Sequence, residues 1–254
     1  MLFQLLDVDY TMVDNRPIIR MIGKNEQGKA VCVFYEGYPP YMYARGGDIK
    51  KAVEDETNVA KVEKVKRFLP VGFRENSEEF YRITLHNPAK TPELREKLRS
   101  LGFEVYEADI PFKYRFMADM GISGMGWIDA GETSPVETTT VYTDIKARAD
   151  SLKSVEMTGK MPIKYLALDI ECISQNGSGI PVAKRDPIIM ISVVFSEPYR
   201  GKKSMVLTTR HSTTVSYYED EKAMLEGLIE IIKGYDPDVI TGFNINNFDL
   251  PYIL

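Results

Sequence analysis

Apolar and polar residues change places every few positions through the first 120 residues, with turn-forming residues between the runs. Residues 2–8 and 18–22 read as strands separated by Asp14-Asn15-Arg16-Pro17, and Asn25-Glu26-Gln27-Gly28 turns the chain into a third strand at 30–35. Pro39-Pro40 leads to a short strand at 41–44, and Gly46-Gly47 precedes a short helix near 48–56. Strands at 59–68 and 79–85 follow. Thr91-Pro92-Glu93-Leu94 predicts a helix with Thr91 as N-cap, proline at the first helical position and glutamate in the first turn. Gly102 closes that helix and residues 103–106 return as a strand. The pattern predicts an α+β domain, a small open sheet covered by two helices. Residues 121–159 contain the glycine-rich GISGMG and one β-branched stretch, ETTTVYTDIKAR. They read as a connector with one extra strand, which places the first domain at 1–160 and the second at 161–254.

From residue 164 the pattern sharpens. Tyr165, Leu166, Ala167 and Leu168 form an apolar run that ends in Asp169-Ile170-Glu171. Strand side chains alternate faces, so Asp169 and Glu171 share one face while Leu168 and Ile170 take the other. A loop at 175–181 rich in Ser, Asn and Gly leads to a near-continuous apolar strand at 188–195, then another at 204–207. Both faces of such a strand are predicted to be covered, as at the centre of a mixed sheet. Residues 220–233 predict a helix: Met224, Leu228 and Ile231 make one stripe, with Leu225, Ile229 and Ile232 beside it. Gly234 is its expected C-terminal cap, and Pro237 prevents continuation. A strand at 238–242 follows, and Pro251 suits the first turn of a further helix.

The chemistry lies in the acids at the end of that first strand. Two neighbouring carboxylates repel each other and are costly to desolvate. A hard divalent cation such as Mg²⁺ or Mn²⁺ offsets that cost, since carboxylate oxygen is its preferred ligand. Asp249, in Asn244-Ile245-Asn246-Asn247-Phe248-Asp249, supplies a third acid on a different element. A solvated pair of turn acids is the other reading of the tripeptide alone. The net charge of −5 excludes a broadly basic nucleic-acid clamp. Residues 1–120 hold 19 residues of each sign, so the whole acidic surplus lies in the part that carries these carboxylates. Hydrophobic content of 44% with 27% charge is ordinary for a water-soluble globular chain. No run approaches the length of a membrane span, and the N-terminus lacks the basic start of a signal peptide. Cys32 and Cys172 have no metal-type spacing and read as reduced structural thiols, and His86 and His211 have no partners at metal spacing.

YLALDIEC resembles the first exonuclease motif, and ITGFNINNFDLPYIL the second, of the 3′–5′ proofreading domain of family B DNA polymerases. DVDY, YPPYMY, HNPAKTPELREKL and EADIPFKYRFMAD are similar to segments of the N-terminal domain in archaeal members. GISGMGWIDA, DPIIMISVVF and PDVITGFNINNFDLPYIL resemble the archaeal and eukaryotic delta-type replicative branch. The resemblance covers essentially the whole chain. It implies an α+β N-terminal domain followed by a truncated α/β ribonuclease-H-like domain, a mixed sheet with flanking helices.

By that resemblance Asp169 would bridge two metal ions, Glu171 would bind the first and orient the attacking water, and Asp249 would hold the second. Asn244 and Phe248 would position the 3′-terminal nucleotide, although Phe248 reads equally as core packing. The family's third exonuclease motif and its palm motifs do not occur in these 254 residues. The chain is therefore expected to be the N-terminal part of a longer polymerase, with little nuclease activity by itself and no polymerase activity. Its implied partners are template DNA, a single-stranded 3′ end, the rest of the polymerase chain and a sliding clamp contacted through regions outside it. The implied location is the nucleoid in an archaeon or the nucleus in a eukaryote. In archaeal members the N-terminal domain also carries a pocket that captures template uracil. The matching positions are Tyr10, Pro40, Tyr41, Pro88, Thr91 and Phe112, with Arg115 near for a phosphate. Thr91 departs from the valine frequent in those sensors, and these residues also read as simple domain packing.

Overall fold

Strand pairing at the N-terminus runs further than the apolar pattern predicts, because β1 (Leu2–Val13) and β2 (Arg16–Asn25) form a long antiparallel hairpin. Asp14 and Asn15 turn that hairpin with positive φ, a conformation these two residue types tolerate better than most. The computed structural model describes residues 1–69, 72–174, 177, 179–213 and 215–254. They divide into two compact units, Met1–Met161 and Pro162–Leu254.

In the first unit β3 (Ala30–Tyr35), β4 (Tyr41–Arg45), α1 (Ile49–Ala52), β5 (Val59–Arg67) and β6 (Glu78–Leu85) follow the hairpin. After them come α2 (Thr91–Ser100), β7 (Glu104–Tyr106), α3 (Phe112–Asp119), β8 (Trp127–Asp129), β9 (Thr133–Pro135), β10 (Ile145–Ala149) and β11 (Lys153–Val155). Two sheets result, where one was expected: a seven-stranded sheet in the order β11-β8-β1-β2-β3-β10-β9 and a four-stranded one in the order β5-β6-β4-β7. The expected connector with one strand is in fact four short strands that extend the larger sheet at both edges. Each has only three to five residues and is stabilised by distant partners, so local alternation carries no signal for it.

Helix α2 begins differently from its expected cap. A 3₁₀ turn, Pro88–Lys90, runs straight into it, and Asn87 caps that turn by accepting the Ala89 N–H at 2.9 Å. Thr91 is therefore the first helical residue, and Lys90 before it makes no side-chain cap. Helices α1 and α2 cover one face of the four-stranded sheet, where Met42, Ala44, Ile83 and Leu85 meet Ile49, Leu94 and Leu98. Helix α3, absent from the pattern reading, packs Phe112 and Phe116 among Phe3, Leu5, Ile19 and Met21 of the larger sheet. Beside it, the hydroxyls of Tyr38 and Tyr41 both donate to Asp119 Oδ2, each at 2.6 Å.

The second unit contains β12 (Tyr165–Cys172), β13 (Ile188–Tyr199), β14 (Lys202–Thr208), β15 (Ser216–Tyr217), α4 (Glu221–Tyr235), β16 (Val239–Thr241) and α5 (Asp249–Ile253). Its five-stranded sheet has the order β15-β14-β13-β12-β16. The two parallel pairs, β12 with β16 and β14 with β15, make it the expected mixed sheet. Of the loop predicted at 175–181, residues 175, 176 and 178 lie outside the described residues. Asp220 caps α4 by accepting the Ala223 N–H at 2.8 Å. The expected cap at Gly234 is displaced by two positions: Asp236 takes the left-handed turn at φ 52°, and Gly234 stays inside the helix. Its missing side chain leaves room for the Tyr199 hydroxyl, which a Cβ there would overlap.

One face of this sheet is buried against α4, where Leu166, Leu168, Ile170, Ile191 and Val193 pack on Met224, Leu228 and Ile231. The opposite face is uncovered among the described residues: Tyr165 and Val194 are each 51% exposed. This corrects the expectation that the apolar β13 run would be covered on both faces.

Two measurements test this packing. A Cβ at Gly242 would overlap the Leu168 carbonyl oxygen, which is backbone and cannot rotate away. Gly242→Ala is expected to cost about 1–3 kcal/mol in urea unfolding, in the range of overpacking substitutions. Burial, then the hydrogen bond to Asp119, pushes Tyr41 up to about 12, and the same causes raise Tyr38 further. A raised phenol contributes stability that is intact below its unfolded pKa of about 10 and is lost as pH climbs through the folded value. Unfolding free energy should therefore fall from about pH 10 to about pH 12, and the Tyr38→Phe/Tyr41→Phe double variant should show a shallower fall.

Candidate functional site

The burial of β12 follows the alternation in its sequence: Leu166, Leu168 and Ile170 are buried while Asp169 and Glu171 are exposed. The two acids thus stand side by side on the uncovered face of the sheet. The parallel neighbour β16 pairs with β12 only from Tyr165 to Ala167. Past that point the Ile170 N–H is taken by Asp249 Oδ1 at 3.0 Å. Asp249 is 2% exposed and opens α5, so its carboxylate lies against the backbone between the other two acids.

A tight turn delivers it there. Asn244 adopts φ 53°, its carbonyl accepts the N–H groups of Asn247 and Phe248, and its side-chain oxygen accepts from Asn247 Nδ2 at 2.9 Å. Buried Ile245 anchors the turn in the core of the second unit. Phe248 also packs into that core, with its ring 5.4 Å from that of Tyr252. The aromatic that reaches solvent is Phe243, 93% exposed, which the motif reading passed over. The sequence carries no signal for it, since the register that sets β16 against β12, Thr241 on Ala167, is a feature of the fold. Cys172 is half-buried beyond a register shift and its thiol is pushed up by burial, as suits a structural residue. His86 is half-buried, and His211 is exposed, 5.2 Å from the Tyr217 ring.

Among the described residues no group of three or more His, Cys, Asp and Glu side chains is placed to hold a metal ion, and Asp169, Glu171 and Asp249 are no exception. The donor set suits a hard cation all the same. It consists of carboxylate oxygen alone, two groups open to solvent and one held at the strand edge. Mg²⁺ is typically bound by one or two carboxylates together with waters and substrate phosphate, so it does not require a cage made by protein alone.

A second feature lies in the first unit. Tyr10, Pro40, Tyr41, Pro88, Thr91, Phe112 and Arg115, all seven of the residues picked from the sequence, line one cavity of about 390 Å³. Tyr10 meets Phe112 edge-on at 5.1 Å, forming one wall. Thr91 reaches the cavity from the first turn of α2. Arg115 is not presented as a bare cation: it is 8% exposed, ion-paired with the Glu107 carboxylate, and donates to the Glu107 carbonyl at 2.9 Å. Glu107 makes both bonds from a left-handed conformation, φ 58°, uncommon for such a residue. Arg95 and Lys113 also line the cavity, paired with Glu96 and Asp7.

Comparison with known proteins bears on both features. The family model described as DNA polymerase family B, exonuclease domain, matches residues 103–254. The DNA polymerase delta catalytic subunit of Plasmodium falciparum is 30% identical, over 98% of this chain and 27% of that protein. DNA polymerase 2 of Aeropyrum pernix is 32% identical, over 99% of this chain and 31% of that protein. The solved family B DNA polymerase of Pyrobaculum calidifontis superposes with a TM-score of 0.78 at 29% identity, over 100% of this chain and 32% of the other. The chain thus spans less than a third of the length of these relatives. Motifs, mixed sheet and family match agree: the chain belongs to the exonuclease-domain family of the family B DNA polymerases.

Proposed function

We propose that Pro162–Leu254 supplies the first part of a 3′–5′ proofreading nuclease, within a family B polymerase whose N-terminal domain is Met1–Met161. The observation that carries this reading is the Ile170–Asp249 hydrogen bond, which brings an acid from the second motif to the strand that bears Asp169 and Glu171. Asp169 and Glu171 would hold divalent cations, Mg²⁺ or Mn²⁺, on the open face, with Asp249 as the third carboxylate. Two such ions, when bound, supply a hydroxide for in-line attack and stabilise the leaving 3′ oxygen.

The chain's own part is positioning. The β12 ladder fixes the backbones of Asp169 and Glu171 two residues apart on one face, so only side-chain freedom is lost when a cation binds. Asp249 is held by the Ile170 N–H and by the start of α5, whose positive end favours a carboxylate. The Asn244 turn would receive the 3′-terminal nucleotide, with Phe243 as the exposed ring beside it. Phe248 is given a packing role instead, in keeping with its place in the core. DNA is the substrate class that this reading requires. Among the described residues, no helix is long and apolar enough to cross a membrane.

A second reading concerns the cavity of the first unit, and the convergence of seven sequence-selected residues on it favours that reading. The cavity would hold a template base such as uracil, excluding thymine by close packing against its methyl group. Thr91 adds a hydroxyl to the wall and makes that discrimination depend on polarity as well as on volume.

Two tests follow. In the full-length polymerase, Asp169→Ala should cut Mg²⁺-dependent trimming of a single-stranded 3′ end about a thousandfold, the rate equivalent of roughly 4 kcal/mol. Trimming at the wild-type rate would refute the nuclease reading. For the cavity, single-stranded oligonucleotides that contain uracil should bind more tightly than matched thymine ones, and Thr91→Val should widen the gap. Equal affinities in both proteins would remove base discrimination from the first unit.

A further inference from the structure

The four-stranded sheet has two unlike faces. Helices α1 and α2 bury one of them. The other carries Tyr41, Tyr43, Phe80 and Tyr106, with two arginines stacked on the tyrosines. The Arg82 guanidinium lies 3.9 Å from the Tyr41 ring centroid, and Arg67 lies 5.4 Å from that of Tyr43. Arg67 also donates to the Tyr43 hydroxyl, at 3.1 and 3.3 Å. Neither arginine forms an ion pair among the described residues, and the Arg82 Nε is buried without a hydrogen-bond partner. Two unpaired guanidinium groups on one aromatic face of an acidic chain invite an anionic ligand that also offers a flat ring.

This face opens into a second cavity, of about 310 Å³, walled by Tyr43, Arg67, Phe80 and Tyr106. Phe68, 60% exposed, and Ile110 stand at its margin. It shares Glu107, Asp109 and Ile110 with the first cavity, so the two lie on either side of one partition. Tyr41 on the first side and Tyr43 on the second are in edge-on contact, ring centroids 5.5 Å apart. The volume is at the lower end for a small-ligand pocket, enough for one nucleoside and too small for a duplex.

We propose that the second cavity takes the base next to the one held in the first, so that this face reads two consecutive nucleotides of a DNA single strand. The inference rests on the reading of the first cavity as a base pocket. Phe68 and Tyr106 provide the stacking surface, which is tolerant of base identity. The Asp109 carboxylate repels phosphate from the partition, so the strand backbone passes on the side of Arg67, and Arg82, on the same sheet face, lies outside the cavity wall. An apolar protein segment would leave those two charges unused.

The test is fluorescence anisotropy of the whole chain in EDTA, where metal-dependent cleavage is silent. The probe is a labelled oligothymidylate of about 12 nucleotides with one central deoxyuridine, the base that the first cavity admits, and its length is within the usual site size of a single-strand-binding domain. Phe68→Ala and Arg67→Gln should each weaken binding about tenfold, the loss expected for one stacked base. Phe68 and Arg67 are both exposed residues, so circular dichroism should be unchanged. A probe with one 5-iodouracil should crosslink, on irradiation, to the peptide that holds Phe68 or to that of Tyr106. Thr91→Arg, which fills the first cavity, reports on the underlying reading. Loss of binding in Thr91→Arg with wild-type affinity in both other variants overturns the second cavity alone. Wild-type affinity in all three variants, or no binding by the unaltered chain, overturns both.

Discussion

One hydrogen bond, from the Ile170 N–H to the Asp249 carboxylate, joins residues 79 positions apart at the end of β12. It forms there because β16 stops pairing at Ala167, which leaves the strand edge without a ladder partner. A buried backbone donor in that position needs an acceptor, and an unmatched one costs about 1–3 kcal/mol. A carboxylate answers the need and at the same time carries charge to the site. In the proposed nuclease, the requirement of the fold and that of the chemistry would be met by one side chain.

The first unit solves a different problem with aromatic residues. Tyrosine hydroxyls converge on Asp119, guanidinium groups lie on tyrosine rings, and Glu107 holds Arg115 from a left-handed turn. These polar ends have partners close to an apolar wall, and the Arg82 Nε is the exception. The result is a rigid surface with flat faces and fixed cations, made without the net positive charge usual in nucleic-acid-binding domains. In the proposed template-binding role, local placement of charge would do here what total charge does elsewhere.

Much of the second unit was legible in the sequence because its signals are local. The alternation of Leu166, Leu168 and Ile170 with Asp169 and Glu171 named the face of each residue, and Met224, Leu228 and Ile231 named the buried stripe of α4. The seven residues that line the first cavity were found through family likeness, since no period links Tyr10 to Thr91 or Arg115. What escaped notice depends on distant partners. Strand β8 pairs with β1 and β10 with β3, β11 and β9 pair in turn with β8 and β10, and segments of three to five residues carry no period of their own. Gly234 looked like a cap because glycine ends many helices, but here its value is the space it leaves for Tyr199. The covered second face expected for β13 failed for a related reason: apolar content reports that a strand is buried somewhere, not on how many sides.

The edges of the five-stranded sheet are short. β15 has two residues and β16 has three, so among the described residues β14 from Lys202 to Val206 and β12 beyond Ala167 have no strand partner on that side. Long flat edges are the usual seeds of strand-to-strand aggregation. In a crowded solution those two bare stretches are where a neighbouring strand would add, and the Asp249 carboxylate on the Ile170 N–H blocks one of them.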